Sequence, residues 1–150
     1  MKARAALLAL VAATTLMGCT SKTEPPNAPA KAQGPQTIEI SYDDMASQKQ
    51  ISRSVSMSVG DTLTVSLGAN ASTGFRWTEK MLISDPKVMT QTNHQAIAAV
   101  SPGMMGAPGT EVWTLQAKAP GNTTVSTTYG RPWPGGEKDS WVFSANVTVN

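Results

Sequence analysis

Trp141, Phe143, Ala145, Val147 and Val149 fall on every second position of one stretch. A period of two puts all five side chains on one face of a strand, and no helix can do so. Shorter runs repeat the pattern. Ile38, Ile40 and Tyr42 alternate within 36–42, and Val55, Met57 and Val59 within 51–59. Strand B is read over Thr62–Leu67, C over Phe75–Leu82, D over Val88–Thr92, E over Glu111–Ala117, F over Thr123–Tyr129 and G over 141–149. Gly60-Asp61, Asp85-Pro86 and Pro120-Gly121-Asn122 punctuate them as turns. The composition is rich in Thr, Ser and Val, and no long segment keeps a period of 3.6. The fold class is all-β, an immunoglobulin-like β-sandwich of about seven strands.

That topology has a geometric consequence. Successive antiparallel strands reverse direction, so alternate loops fall at one end. Loop B–C is Asn70-Ala71-Ser72-Thr73-Gly74, leading into Phe75. Loop D–E spans 93–110 and contains Pro102-Gly103-Met104-Met105-Gly106-Ala107-Pro108-Gly109. Loop F–G spans 130–138 and contains Arg131-Pro132-Trp133-Pro134. All three unusual stretches are expected at the same pole.

Their chemistry favours binding over catalysis. His94 is the single histidine, no two-His or Cys/His metal pattern exists, and the carboxylates are scattered. An enzyme is not expected, and no metal or cofactor. Pro132 and Pro134 fix φ at two positions and extend their predecessors, so Trp133 is displayed rigidly. Arg and Trp are enriched at interface hot spots. Trp133 either serves there or folds back as a lid over the strand ends. Phe75 is either a loop anchor or the first core residue of strand C. Met104 and Met105 are either adaptable contact surface or tucked beneath their loop. Trp77 is expected in the core, with Trp113 and Trp141 in the core or at its margin.

The N-terminus carries separate signals. Lys2 and Arg4 precede a short apolar stretch, Ala5–Thr15, and then Leu16-Met17-Gly18-Cys19. This resembles the lipobox of bacterial lipoproteins, which implies a signal peptide over 1–18 and lipidation of Cys19, the only cysteine. Residues 19–35 hold Pro25-Pro26, Pro29 and Pro35 and read as a disordered tether, leaving 36–150 as the domain. Thr20 after the cysteine is not Asp. By the Gram-negative sorting rule, the expected location is the bacterial cell envelope, anchored in the outer membrane. Without a disulfide, the domain relies on its apolar core. Losing Lys2 and Arg4 leaves ten basic against ten acidic residues, so no nucleic-acid partner is expected. The domain is expected to be a monomer.

The three loops together carry a resemblance. Asn70-Ala71-Ser72-Thr73-Gly74-Phe75, with Trp77 two places on, resembles the Asn-Pro-Thr-Thr-Gly-Tyr/Phe-x-Trp motif of chagasin-type inhibitors of papain-like cysteine proteases. Gly106-Ala107-Pro108-Gly109 is similar to that family's Gly-x-Gly-Gly loop, and Arg131-Pro132-Trp133 matches its Arg-Pro-Trp loop. The resemblance implies a reversible, non-covalent inhibitor that blocks a protease cleft with a three-loop wedge. Asn70, Ser72, Thr73, Gly74, Phe75, Met104, Met105, Gly106, Gly109, Arg131, Pro132 and Trp133 would touch the enzyme. Ala71 and Ser72 depart from the motif's Pro and Thr, and Pro108 from a Gly; these changes bear on affinity and enzyme preference. The alternative is a lipid-anchored β-sandwich that uses the same loops on a non-protease envelope partner.

Overall fold

The computed structural model describes residues 34–99 and 106–150. The expected signal peptide, Cys19, most of the expected tether, and Met104 and Met105 lie outside the described residues. Along the chain come β1 (Gln36–Ile40), α1 (Tyr42–Ser47), β2 (Gln50–Met57) and β3 (Thr62–Ala69). After a 3-10 turn at Ala71–Thr73 follow β4 (Arg76–Trp77), β5 (Leu82–Ile83), β6 (Met89–Ile97), β7 (Gly109–Ala117), β8 (Gly121–Gly130) and β9 (Trp141–Val149). One sheet has the order β1-β3-β7-β6. The other runs β2-β9-β8-β4, with β5 also paired to β8. The expected sandwich is therefore present.

Between the sheets lies one apolar core. Leu63, Val65, Leu67, Trp113 and Leu115 come from the first sheet, and Val125, Tyr129, Phe143, Ala145 and Val147 from the second. Each set keeps the period-two spacing that the sequence showed. An aromatic chain crosses the core from the loop pole. Phe75 stacks on Tyr129 at 5.5 Å, Tyr129 lies 4.9 Å from Trp77, and Trp77 meets Trp113 edge-on at 6.4 Å. Both core indoles find acceptors: Trp77 Nε1 donates to Gly68 O (3.0 Å) and Trp113 Nε1 to Glu79 O (2.9 Å). Trp141 is half-buried at the margin, 5.5 Å from Phe75.

Four segments differ from the sequence expectation, each for a local reason. The first strand stops at Ile40, because Ser41 caps a helix. Its Oγ accepts from Asp44 N at 3.1 Å and donates to the Asp44 carboxylate at 2.6 Å, and Tyr42 begins α1. Val59 has left its strand and is exposed, since the ladder with β9 ends at Met57. Strand C is broken into β4 and β5. The Gln91 side chain holds the intervening segment, donating to Glu79 O at 2.9 Å and accepting from Met81 N at 2.8 Å, which draws it off the β8 edge. Strand D is longer than expected, because β6 pairs with β7 out to Ile97↔Thr110. Its register shifts between Gln91 and Asn93, and that bulge breaks the alternation on which a sequence reading depends.

Candidate functional site

The pole that carries the β3–β4 and β8–β9 connections also receives the β6–β7 connection. Side chains tie the three loops together. Asn70 Nδ2 donates to Gly106 O at 3.0 Å, joining B–C to D–E. Arg131 Nη2 donates to Thr73 O at 3.4 Å, joining B–C to F–G. The Trp133 ring lies against Gly74: a Cβ there would stand 2.5 Å from Trp133 Cη2.

Loop B–C is built by its own polar groups. Asn70 Oδ1 accepts from Ser72 N (3.1 Å) and Ser72 Oγ (2.6 Å). Thr73 Oγ1 donates to Asn70 O at 2.6 Å and accepts from Phe75 N at 3.3 Å. Gly74 N closes the turn on Ala71 O at 3.1 Å, with φ at +79, in the left-handed region. The hydroxyls of Ser72 and Thr73 thus first serve to shape the loop, although both residues are exposed at its tip. Beneath them, the buried Tyr129 hydroxyl accepts from Asn70 N at 2.9 Å. Burial raises the Tyr129 pKa above its ordinary 10.0, so the phenol stays neutral under the loop. Sequence reasoning placed Tyr129 only in strand register and missed this role.

Loop F–G is a tight construction. Trp133-Pro134-Gly135-Gly136 form a turn closed by Gly136 N to Trp133 O at 3.0 Å. Proline at its second position and Gly135 at φ +78 at its third are the type II pattern. Lys138 Nζ donates to both Arg131 O (2.8 Å) and Trp133 O (2.7 Å), clamping the base of the turn. Trp133 is 45% exposed, so it leans on Gly74 without becoming a lid over the core. The Arg131 guanidinium lies over the Phe75 ring, 4.5 Å from its centroid. Phe75 is half-buried and fills both roles considered for it, core margin and loop support.

In loop D–E, the chain returns at Gly106 and enters β7 at Gly109, which pairs with Ala69 at the end of β3. A side chain at Gly109 would collide with the Ile97 carbonyl, so glycine lets β6 and β7 close there. Pro132 is exposed beside Trp133. Of the residues expected to touch an enzyme, those described all gather at this pole.

His94 takes no part in a hydrolytic pair. Its Nε2 lies 2.9 Å from Glu111 Oε2 and its ring 5.0 Å from Trp113, whereas the Ser72 hydroxyl is held by Asn70. Among the described residues, no group of three or more His, Cys, Asp or Glu could hold a metal ion.

Chagasin of Trypanosoma cruzi is 31% identical over 97 residues, 64% of this chain and 88% of that protein. The cysteine protease inhibitor EhICP2 of Entamoeba histolytica superposes with a TM-score of 0.60 at 20% identity, over 77% of this chain and 97% of its own. PbICP-C, solved in complex with falcipain-2, gives a TM-score of 0.55 at 20% identity, over 78% and 99%. At such identity these two structures speak for the fold. Residues 56–147 match the family model described as "Chagasin family peptidase inhibitor I42", and the chain belongs to that family.

Proposed function

We propose that the protein is a reversible, non-covalent inhibitor of papain-like cysteine proteases whose three cross-linked loops enter the enzyme's cleft together. The observation that carries this is the coupling itself. Asn70 and Arg131 bind B–C to its two neighbours, and Trp133 rests on Gly74, so the pole presents one preformed wedge. Preformed surfaces lose little entropy on docking. A protease–inhibitor interface buries roughly 1,600 Å² in total, which three adjoining loops can supply.

Loop B–C enters nearest the catalytic cysteine and histidine. Its backbone is a closed 3-10 turn ending in a left-handed glycine, not the extended strand that a protease cleaves. No peptide bond there is presented for attack, so the complex dissociates with the inhibitor intact. Loop F–G grips one side of the cleft, with the exposed part of Trp133 stacking on the enzyme and Arg131 donating through whichever N–H groups Thr73 leaves free. Loop D–E lies along the other side, where Met104 and Met105 provide contact surface and Gly106 and Gly109 let the backbone approach closely.

The domain works at a membrane surface, anchored by acylated Cys19 in the outer membrane. Its topology suits that placement. β1 pairs in parallel with β3 from Gln36↔Leu63, so residue 36 enters the domain at the pole opposite the loops. An anchor that precedes residue 36 therefore leaves the wedge facing away from the membrane. Palmitate incorporation that disappears in Cys19→Ser tests the anchor.

Steady-state inhibition of papain and cathepsin L by residues 20–150, which contain every described strand, tests the inhibitor reading. Tight inhibition with recovery of uncleaved inhibitor is expected. Absence of inhibition by folded protein at high micromolar concentration refutes it for these enzymes.

A further inference from the structure

Four chain segments, not three, reach the loop pole. β1 runs parallel to β3, so its last residue, Ile40, sits beside Leu67 at the approach to loop B–C. β2 runs parallel to β9, so Gln50 starts beside Val142, where loop F–G ends. The connection between β1 and β2, residues 41–49 with α1, must therefore cross this pole. It lies outside residues 56–147, the part matched by the family.

The segment is held firmly. Ser41 and Tyr42 pass directly over Gly68, where any Cβ would collide with the Tyr42 backbone. Met45 is 1% exposed and anchors the helix in the core. At the far end, Lys49 O accepts from Val142 N at 2.8 Å, and Lys49 Nζ lies 6.0 Å from the Trp141 ring.

Between α1 and the wedge is an open cleft of about 260 Å³. Tyr42 and Ala46 form one side; Thr73 of loop B–C, Arg131 of loop F–G, Phe75 and Trp141 form the other. The cleft shares Thr73 and Arg131 with the wedge, so the two surfaces are continuous. Half of its lining residues are aromatic, no carboxylate lines it, and its one charged group, the Arg131 guanidinium, lies over the Phe75 ring.

We infer that this cleft is a fourth contact site, which receives an apolar side chain projecting from the protease surface beside its active-site groove. This rests on the proposed inhibition. It predicts that the chain discriminates among papain-like enzymes partly by the residue at that rim position. A preformed apolar cleft takes up an aliphatic or aromatic side chain with little reordering, whereas a carboxylate entering it loses hydration that the single Arg131 charge only partly offsets.

Two variants of residues 20–150 test it against papain. Ala46→Trp fills the cleft from its exposed lip, and Tyr42→Ala removes a wall. Each is expected to raise the inhibition constant about tenfold, mainly through faster dissociation. Circular dichroism and thermal melting confirm that the fold is kept. Both constants within twofold of the parent, with the parent inhibiting, overturn the fourth contact and leave the three-loop wedge standing. Ala46→Trp weakening inhibition while Tyr42→Ala does not marks a steric clash near the enzyme and also overturns it. A parent chain that does not inhibit papain refutes the inhibitor reading for that enzyme and, with it, the fourth contact.

Discussion

Replacing Tyr129 with Phe removes one oxygen and nothing else, yet it reaches the base of loop B–C. The hydroxyl accepts from Asn70 N at 2.9 Å; its other approach, to Asn70 O at 3.5 Å, is too long to count for much. Tyr129 is 2% exposed, so water does not readily replace the lost acceptor. Leaving a partly buried N–H unpaired costs about 1–2 kcal/mol. For a domain of this size that lowers Tm by about 4 °C per kcal/mol. A second signature follows from proton linkage. The folded pKa is raised above 10.0 because burial disfavours the phenolate. The native state therefore holds its proton more tightly than the unfolded chain. The associated stability is complete below pH 10.0 and is lost as pH rises from there through the folded pKa. Tyr129→Phe removes that alkaline component, so the parent and the variant differ by it alone across this range. Urea denaturation of parent and variant at pH 7 and across pH 9–11.5 measures both effects. A stability difference under about 0.3 kcal/mol at pH 7, with identical alkaline slopes, would refute the claim that this hydroxyl holds loop B–C.

Other substitutions test the loop pole from different sides. Gly74→Ala puts a side chain at φ +79, costing about 1–2 kcal/mol. It also pushes the Trp133 ring off its seat, so inhibition should weaken by more than stability alone explains, as paired melting and inhibition data would reveal. Asn70→Ala removes the cap of the 3-10 turn and the bond to Gly106, lowering stability by about 1 kcal/mol. Hydrogen exchange should then quicken at Ser72 N, and unchanged exchange contradicts the capping role. Trp133→Ala leaves the core untouched and should cost about 2–4 kcal/mol of protease binding. Calorimetric titration measures this, and a loss well under about 1 kcal/mol removes Trp133 as an anchor.

What could be read from the sequence followed physical range. β9 was plain because its alternation is uninterrupted, and the loop pole was plain because three motifs and an alternating topology agree. Helix α1 escaped because six residues with one buried side chain, Met45, carry no periodicity, although Ser41 and Asp44 spell its cap. The outer half of β6 escaped because an edge strand with a bulge needs no apolar alternation. The break between β4 and β5 depends on Gln91 reaching across from the other sheet. The service of Tyr129 to Asn70 spans 59 residues of sequence. Such contacts are set by tertiary structure, and no local pattern announces them.

Binding to papain with its cleft open or filled tests the central claim most directly. Calorimetric titration of residues 20–150 into active papain, and into papain whose catalytic cysteine carries a covalent peptide inhibitor, compares the two. The three-loop wedge predicts tight one-to-one binding to the open enzyme and none to the filled one. Equal binding to both would contradict it, placing the contact outside the active-site cleft.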